Sequence, residues 1–447
     1  MGSGFSVPSE KYKSKLEQQR NSSHLGGINC VALNVDKTVM ITGSDDATVR
    51  IWSISTLECL GVLAGHKNYI TSCAIKDTYA ISASADGTIR KYDMYTCECQ
   101  NIYNGHEGKV INKLLIVEDH MFSCSFDKTI KMWDFNPKPR HDACIRVFCG
   151  HERAVFGVLY CSEGPCKNTL ISGSSDCTAK IWNLESGKLV HNFTGHKSAV
   201  QSMALSSDYK TLFTGSGDTT VRSWKLTNGT PGKVFSGHKG AILALTVTPK
   251  FLFTGSADKK CRCWTIAFGN TTKVYHGHKH SCNVLCLFQS FLFTGSGDGR
   301  VRCFDVKSGV LKRTYIGHRG AITFIITPHN KLISGSVDGT IRVWKISDFT
   351  ETSTVVTTKE LKERPKGYVA RNSTSMAAVV TVNGNITQIM LDNPHPYHPE
   401  EFISDEEEIE EEEEEEEVEE TESHTEGQDN AQKNSDDRND SDTETKN

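Results

Sequence analysis

One side-chain constellation recurs eight times along this chain, and it limits the fold more than any other feature. A histidine opens each unit: His24, His66, His106, His151, His196, His238, His278 and His318, all but the first preceded by glycine, at spacings of 42, 40, 45, 45, 42, 40 and 40 residues. A hydroxyl follows at Thr42, Ser82, Ser123, Ser172, Thr214, Thr254, Thr294 and Ser334. Four residues beyond each hydroxyl stands an aspartate: Asp46, Asp86, Asp127, Asp176, Asp218, Asp258, Asp298 and Asp338. Six residues further comes an aromatic: Trp52, Tyr92, Trp133, Trp182, Trp224, Trp264, Phe304 and Trp344. A period in this range marks a repeat architecture. Between the markers, stretches such as 38–42 and 47–52 alternate β-branched and polar residues across a Gly-Ser-Asp turn, which is strand and turn chemistry. A four-stranded unit this short cannot bury its own apolar faces. It becomes stable by stacking on its neighbours around a ring, whose closure also protects the strand edges.

The order Gly-His, Ser-Gly-Ser-x-Asp, Trp-Asp resembles the WD-repeat family over roughly residues 24–358. The resemblance implies an all-β, eight-bladed β-propeller, with seven blades and one displaced unit as the alternative. The family's structural tetrad falls on His66, Ser82, Asp86 and Tyr92; His106, Ser123, Asp127 and Trp133; His151, Ser172, Asp176 and Trp182; and His196, Thr214, Asp218 and Trp224, with equivalents in the other four units. An imidazole, a hydroxyl, a carboxylate and an indole N–H form a closed donor–acceptor chain that leaves no buried polar group unpaired. A His/Ser/Asp catalytic triad is the competing reading, and eight copies of an active site argue against it. Tyr92 offers a hydroxyl in place of an indole and Phe304 offers no donor, so those two blades are expected to be held less firmly.

Outside the repeats the expected organisation is a flexible segment at 1–23, the propeller at 24–358, an extension at 359–391 and an acidic tail at 392–447. Residues 353–358 are expected to supply the outer strand of the eighth blade, and residues 377–390 to form a hairpin across Asn383-Gly384. From Glu400 onward there are 24 acidic and three basic residues, whereas residues 1–399 carry 47 basic and 31 acidic ones, so an overall charge of −5 conceals a basic body and an acidic tail. The unbroken glutamate run at 410–417 cannot bury apolar area, and the tail is expected to be disordered. It reads as a solubilising appendage, a shield over the basic body, or a dock for a basic partner such as a histone or ribosomal protein. Part of the body's charge belongs to the repeat, since the position two before each aromatic is always Arg or Lys. No recognition motif accompanies that charge, so no specific nucleic acid is expected as a partner.

The start, Met1-Gly2-Ser3-Gly4-Phe5-Ser6, fits an N-myristoylation site at Gly2. One acyl chain holds a protein to a bilayer only marginally, and Lys11, Lys13, Lys15 and Arg20 add a weak attraction to anionic lipid. The 16 cysteines are scattered, no secretory signal opens the chain and no apolar run reaches membrane-spanning length. The expectation is a reduced, cytoplasmic protein, membrane-associated if acylated, with nuclear residence as the alternative.

The family resemblance also implies partner binding at the top rim, beside the first apolar residue of each inner strand and just before the turn aspartate. Among the 24 positions so assigned none is arginine, which weakens a phosphopeptide-receptor reading. Tyr69, Lys109, Ile111, Phe126 and Phe156, in units two to four, form the predicted partner site, since grouped exposed aromatics and aliphatics make binding hot spots. The expected function is a non-catalytic scaffold for proteins or peptides. A ubiquitin-ligase substrate receptor is one alternative, although only 23 residues precede the first repeat and no Trp-Asp-x-Arg motif occurs. Binding of histones or other basic proteins through the tail is another. No phosphate loop, dinucleotide fingerprint or nucleophile elbow is present, so neither an enzyme nor a cofactor is expected. His276, His278 and His280 alternate near Cys282, and Cys97-x-Cys99 and Cys261-x-Cys263 are close pairs. His278 is committed to a tetrad and the pairs lack zinc-site spacing, so no metal is expected.

Overall fold

The computed structural model describes residues 23–138 and 141–346, together with the short strands Val355–Thr357, Val379–Val382 and Asn385–Gln388. Eight antiparallel sheets follow one another as the blades of a ring, each built in chain order. Blade 1 comprises Ile28–Leu33, Val39–Ser44, Val49–Ser53 and Cys59–Leu63, running from inner to outer strand. The inner strands of blades 2 to 8 begin at Ile70, Ile111, Val155, Val200, Ile242, Cys282 and Ile322. Second strands such as Val39–Ser44 and Thr169–Ser174 are buried along their whole length, so they read as continuous apolar and small runs. Outer strands such as Leu189–Phe193 and Pro231–Phe235 are mostly exposed and bury only their last residue.

That last residue joins the blades. Tyr103, Phe148, Phe193, Phe235 and Tyr275, which end the outer strands of blades 2 to 6, and Tyr315, the penultimate residue of that of blade 7, pack on the tetrad aromatic of the following blade with ring centroids 5.2 to 6.1 Å apart. Such pairs contribute about 1 kcal/mol each beyond the area they bury.

Blade 8 departs from the pattern. It has three strands among the described residues, Ile322–Ile326, Lys331–Ser336 and Ile341–Lys345. The segment expected to complete it, Val355–Thr357, instead pairs in parallel with the outer strand of blade 7, Leu311–Ile316, placing Val355 opposite Thr314. Residues 347–354, between the third strand of blade 8 and this segment, lie outside the described residues.

Among the described residues blade 8 has no outer strand and no terminal aromatic to lay on Trp52. Trp52 is therefore half-buried, while Trp133, Trp182, Trp224, Trp264 and Trp344 are at most 2% exposed. The ring closes through Phe324, Ile326 and Ile333 of blade 8, packed against Ile28, Val31, Met40 and Ile54. Lys331 Nζ donates to the Ile54 carbonyl (3.2 Å) across the same joint, and His329 Nε2 meets the Lys37 carbonyl (3.1 Å). Strands Val379–Val382 and Asn385–Gln388 form a hairpin with Val382 opposite Asn385, and its backbone lies beside inner strands of the ring. Gly2 and the acidic tail lie outside the described residues.

Candidate functional site

The eight histidines hold the top of the ring together. Where all four groups are present, the indole N–H donates to the hydroxyl, the hydroxyl meets His Nε2 and His Nδ1 meets the aspartate. In blade 4 the distances are 2.8 Å from Trp182 to Ser172, 2.8 Å from Ser172 to His151 and 2.6 Å from His151 to Asp176. Blade 3 (His106, Ser123, Asp127, Trp133) and blade 5 (His196, Thr214, Asp218, Trp224) repeat the chain at 2.6 to 2.8 Å. In blade 2, His66 bonds Ser82 and Asp86 at 2.8 Å each, but the Tyr92 hydroxyl donates to the Ala64 carbonyl (3.3 Å), a different bond from that of the indoles. Blade 7, with Phe304, is the loosest: His278 and Asp298 are 3.4 Å apart, and Arg302 donates to Asp298 (2.7 Å) and to the His278 ring.

Electrostatics follow from this bonding. Burial alone would raise the Asp86 carboxyl, but hydrogen bonds from His66, the Lys67 amide and Thr88 outweigh it and hold the group well below the usual carboxylate range. Asp176 and Asp218 behave alike. Burial lowers the pKa of His24 and His238 despite their aspartates. Each histidine is sealed by its own blade, which makes the network a clamp rather than a set of active sites.

A second repeated bond fixes which residues face the top. The residue before each turn aspartate donates its N–H to the carbonyl just ahead of the inner strand: Ala85 to Tyr69 (3.0 Å), Phe126 to Val110 (2.9 Å) and Ser175 to Ala154 (3.0 Å). This register corrects the rim of two blades. In blade 3 the rim residues are Val110 and Asn112, not Lys109 and Ile111. Ile111 is the first inner-strand residue and 0% exposed, while Lys109 is exposed in a loop one residue longer than in the other units. Glu107 (φ 45°) and Gly108 (φ 68°) absorb the insertion, and Val110, an apolar residue ahead of the strand, hid it from the sequence pattern. In blade 7, likewise, Cys282 opens the inner strand and Ser281 takes the rim position.

Of the predicted site, the structure brings together Phe126 and Phe156. Their rings meet edge to face with centroids 6.1 Å apart and planes at 76°, and Phe126 is 43% exposed. The side-chain amide of Asn112 donates to the Val155 carbonyl (2.7 Å), tying blade 3 to blade 4 beneath the pair. Tyr69, whose carbonyl accepts from the Ala85 amide, is the half-buried rim residue of blade 2, and burial together with the Asp45 carboxylate raises its hydroxyl pKa.

Two features escaped the sequence reading. Ser44, Ser84, Ser125, Ser174, Ser216, Ser256, Ser296 and Ser336, two residues before each turn aspartate, are all 0% exposed. The Ser84 hydroxyl donates to the Asn68 carbonyl and accepts from the Asp86 amide (2.9 and 3.0 Å). Their strict recurrence was the available signal. The second feature is Lys113 on the inner strand of blade 3, which is 0% exposed and whose Nζ has no hydrogen-bond partner among the described residues. Equivalent inner-strand positions hold Ser72, Gly157 and Ala244. Burial drives the Lys113 ammonium down to about 7.

Six copies of the family described as "WD domain, G-beta repeat" match residues 97–134, 142–183, 187–225, 229–265, 269–305 and 309–345, together just over half of the chain. Residues 10–112 match the family described as "DDB1- and CUL4-associated factor 12 beta propeller". Human WD repeat-containing protein 86 is 41% identical over 59 residues, 13% of this chain and 16% of that one. Nuclear distribution protein nudF of Aspergillus niger is 26% identical over 188 residues, 42% of this chain and 33% of its own. The chain thus spans a third or less of these curated relatives. Among solved structures, the computationally designed Ika8 protein matches 73% of this chain and 99% of its own length with a TM-score of 0.64 at 26% identity.

Proposed function

Because this chain belongs to the WD-repeat family, we propose that it is a non-catalytic scaffold that captures partner proteins on the top face of its ring, at the joint of blades 3 and 4. The observation that carries this reading is the Phe126–Phe156 pair. At the rim positions of the other blades, Tyr69 apart, stand small, polar or single aliphatic residues such as Ala85, Gly217 and Leu243. An edge-to-face aromatic pair on a rigid sheet is a preformed seat for an apolar side chain, and losing such an anchor typically costs about 2 kcal/mol or more, roughly thirty-fold in affinity.

The test is affinity capture with a carboxy-terminal tag, which leaves Gly2 free, comparing the intact chain with Phe126→Ala/Phe156→Ala by mass spectrometry. A melting curve checks that the variant keeps its fold. Partners lost from the variant support the reading, and an unchanged partner list sinks it. Recovery of the same histones or ribosomal proteins by both forms would transfer the function to the acidic tail.

A ubiquitin-ligase substrate receptor is the second reading, favoured by the match of residues 10–112 to a DDB1- and CUL4-associated propeller. Its signature in the same experiment is co-capture of those two ligase components. Acylation at Gly2 is a separate proposal, checked by intact mass and by the membrane-bound fraction of a Gly2→Ala variant.

A further inference from the structure

At the joint of blades 6 and 7 the repeat departs from itself in three ways at once. The third strand of blade 6 opens with Cys261, where the other seven blades have valine, isoleucine or alanine, including Val221 and Val301 on either side. The inner strand of blade 7 opens with Cys282, where the other seven have isoleucine or valine. Both cysteines are 0% exposed. The third departure is the tetrad beside them. Phe304 gives no hydrogen bond to Thr294, and the His278–Asp298 distance opens to 3.4 Å, against 2.6 to 3.1 Å in the other blades. Either thiol alone would be an ordinary small core residue. Their coincidence is more telling, because a sulfur of each and a ring nitrogen of His278 lie within 4.8 Å of one another.

We infer that Cys261, Cys282 and His278 form a buried binding site for a single Cu(I) ion. Two thiolates and an imidazole are the soft donors this ion selects. Structural zinc sites almost always use four ligands, and this group supplies three with neither sulfur open to a completing water. Donors around one ion at metal–sulfur bonds of about 2.3 Å stand roughly 4 Å apart, so the trio closes on an ion with sub-ångström shifts. Binding releases the two thiol protons, and no electron is transferred when the ion arrives as Cu(I). Two thiolates and Cu(I) carry one net negative charge, and the Arg302 guanidinium, bonded to His278 and Asp298, stands beside it. Without the ion His278 Nε2 meets Thr294 (2.6 Å) and Nδ1 faces Arg302 and Asp298, so ligation by His278 replaces one of these bonds of the loosened tetrad. The site differs from the His276–His278–His280 set suggested by the sequence: it keeps His278 and takes its other ligands from two blades.

The full chain is expressed in copper-supplemented cells and purified without oxygen, in a Cys99→Ser/Cys149→Ser background that removes the two exposed thiols. Metal content is compared with that of the same chain carrying Cys261→Val/Cys282→Ile, residues that the other blades use at these positions and that should therefore preserve the fold. About one copper per chain, falling at least ten-fold in the variant, is the expected result. A copper absorption-edge spectrum should show two sulfurs and one nitrogen. Equal copper in both proteins, copper in neither, stoichiometric zinc, or a shell without nitrogen would each overturn the three-ligand Cu(I) site. A melting curve of the variant at least as high as that of the metal-free parent confirms that lost copper reflects lost ligands.

Discussion

Lys113→Met should stabilise this protein, and the gain should depend on pH in a way that no other explanation of the substitution reproduces. In the fold the ammonium is lowered from 10.5 to about 7 by burial, with no hydrogen-bond partner among the described residues to offset the loss of water. In the unfolded chain it regains its ordinary value. Between those two values the unfolded state binds more protons than the folded one, so stability rises with pH across the window. A tenfold loss of proton affinity is worth about 1.4 kcal/mol, so the ionisation costs about 4 kcal/mol at pH 7 and about 2 kcal/mol at pH 9. Methionine has a similar length and no charge, so it removes that cost at both pH values. Urea unfolding followed by tryptophan fluorescence at pH 7, 8 and 9 measures the difference. The gap between variant and parent should narrow by roughly half from pH 7 to pH 9. Parallel stability curves would refute the reasoning, because they would mean that Lys113 is charged and solvated in the fold.

Asp218→Ala should destabilise by about 3 kcal/mol, since it strands the buried His196 Nδ1 and the Lys197 amide that the carboxylate now accepts from (2.7 and 2.9 Å); chemical denaturation checks it. The tetrad carboxylates are depressed in the fold, so their contribution is complete above the unfolded value near pH 4 and is lost as the pH falls through the folded values; circular dichroism should show a steep acid transition below pH 4. Phe304→Trp should restore a donor to Thr294 and raise stability by about 1 kcal/mol, read as a higher urea midpoint. Phe324→Ala empties the core of the closing joint and should cost about 3 to 5 kcal/mol by the same measurement.

The ring was legible because the repeat is redundant: eight registered copies of a histidine, a hydroxyl, an aspartate and an aromatic fix strand order, blade number and turn positions together. Legibility failed where a unit departs from the pattern by a single residue. The extra residue before Ile111 shifted the rim by one, since an apolar Val110 satisfies the pattern as well as Ile111 does. The eighth blade was misread because strand propensity at 353–358 says that a strand forms and not which edge it joins, and Val355–Thr357 joins blade 7. Lys113 could not be placed from the alternation of its strand, because both faces of an inner strand are buried and a lysine reads as an outward position. The Cys261–Cys282 meeting depends on adjacent blades, a relation that no spacing along one repeat expresses.

The joint between blades 8 and 1 gives the ring a preferred place to break. Every other pair of blades is linked covalently by the chain and by the buried last residue of an outer strand, whereas the described residues at this joint hold only side chains and two polar bridges. Under mechanical load applied through Leu25 and Trp344, the chain would part at this seam first, with Trp52 the first tryptophan to reach water. An optical-trap trace should then begin with one low-force event that frees no more chain than a single blade. The fold is, in mechanical terms, a clasped bracelet rather than a welded hoop.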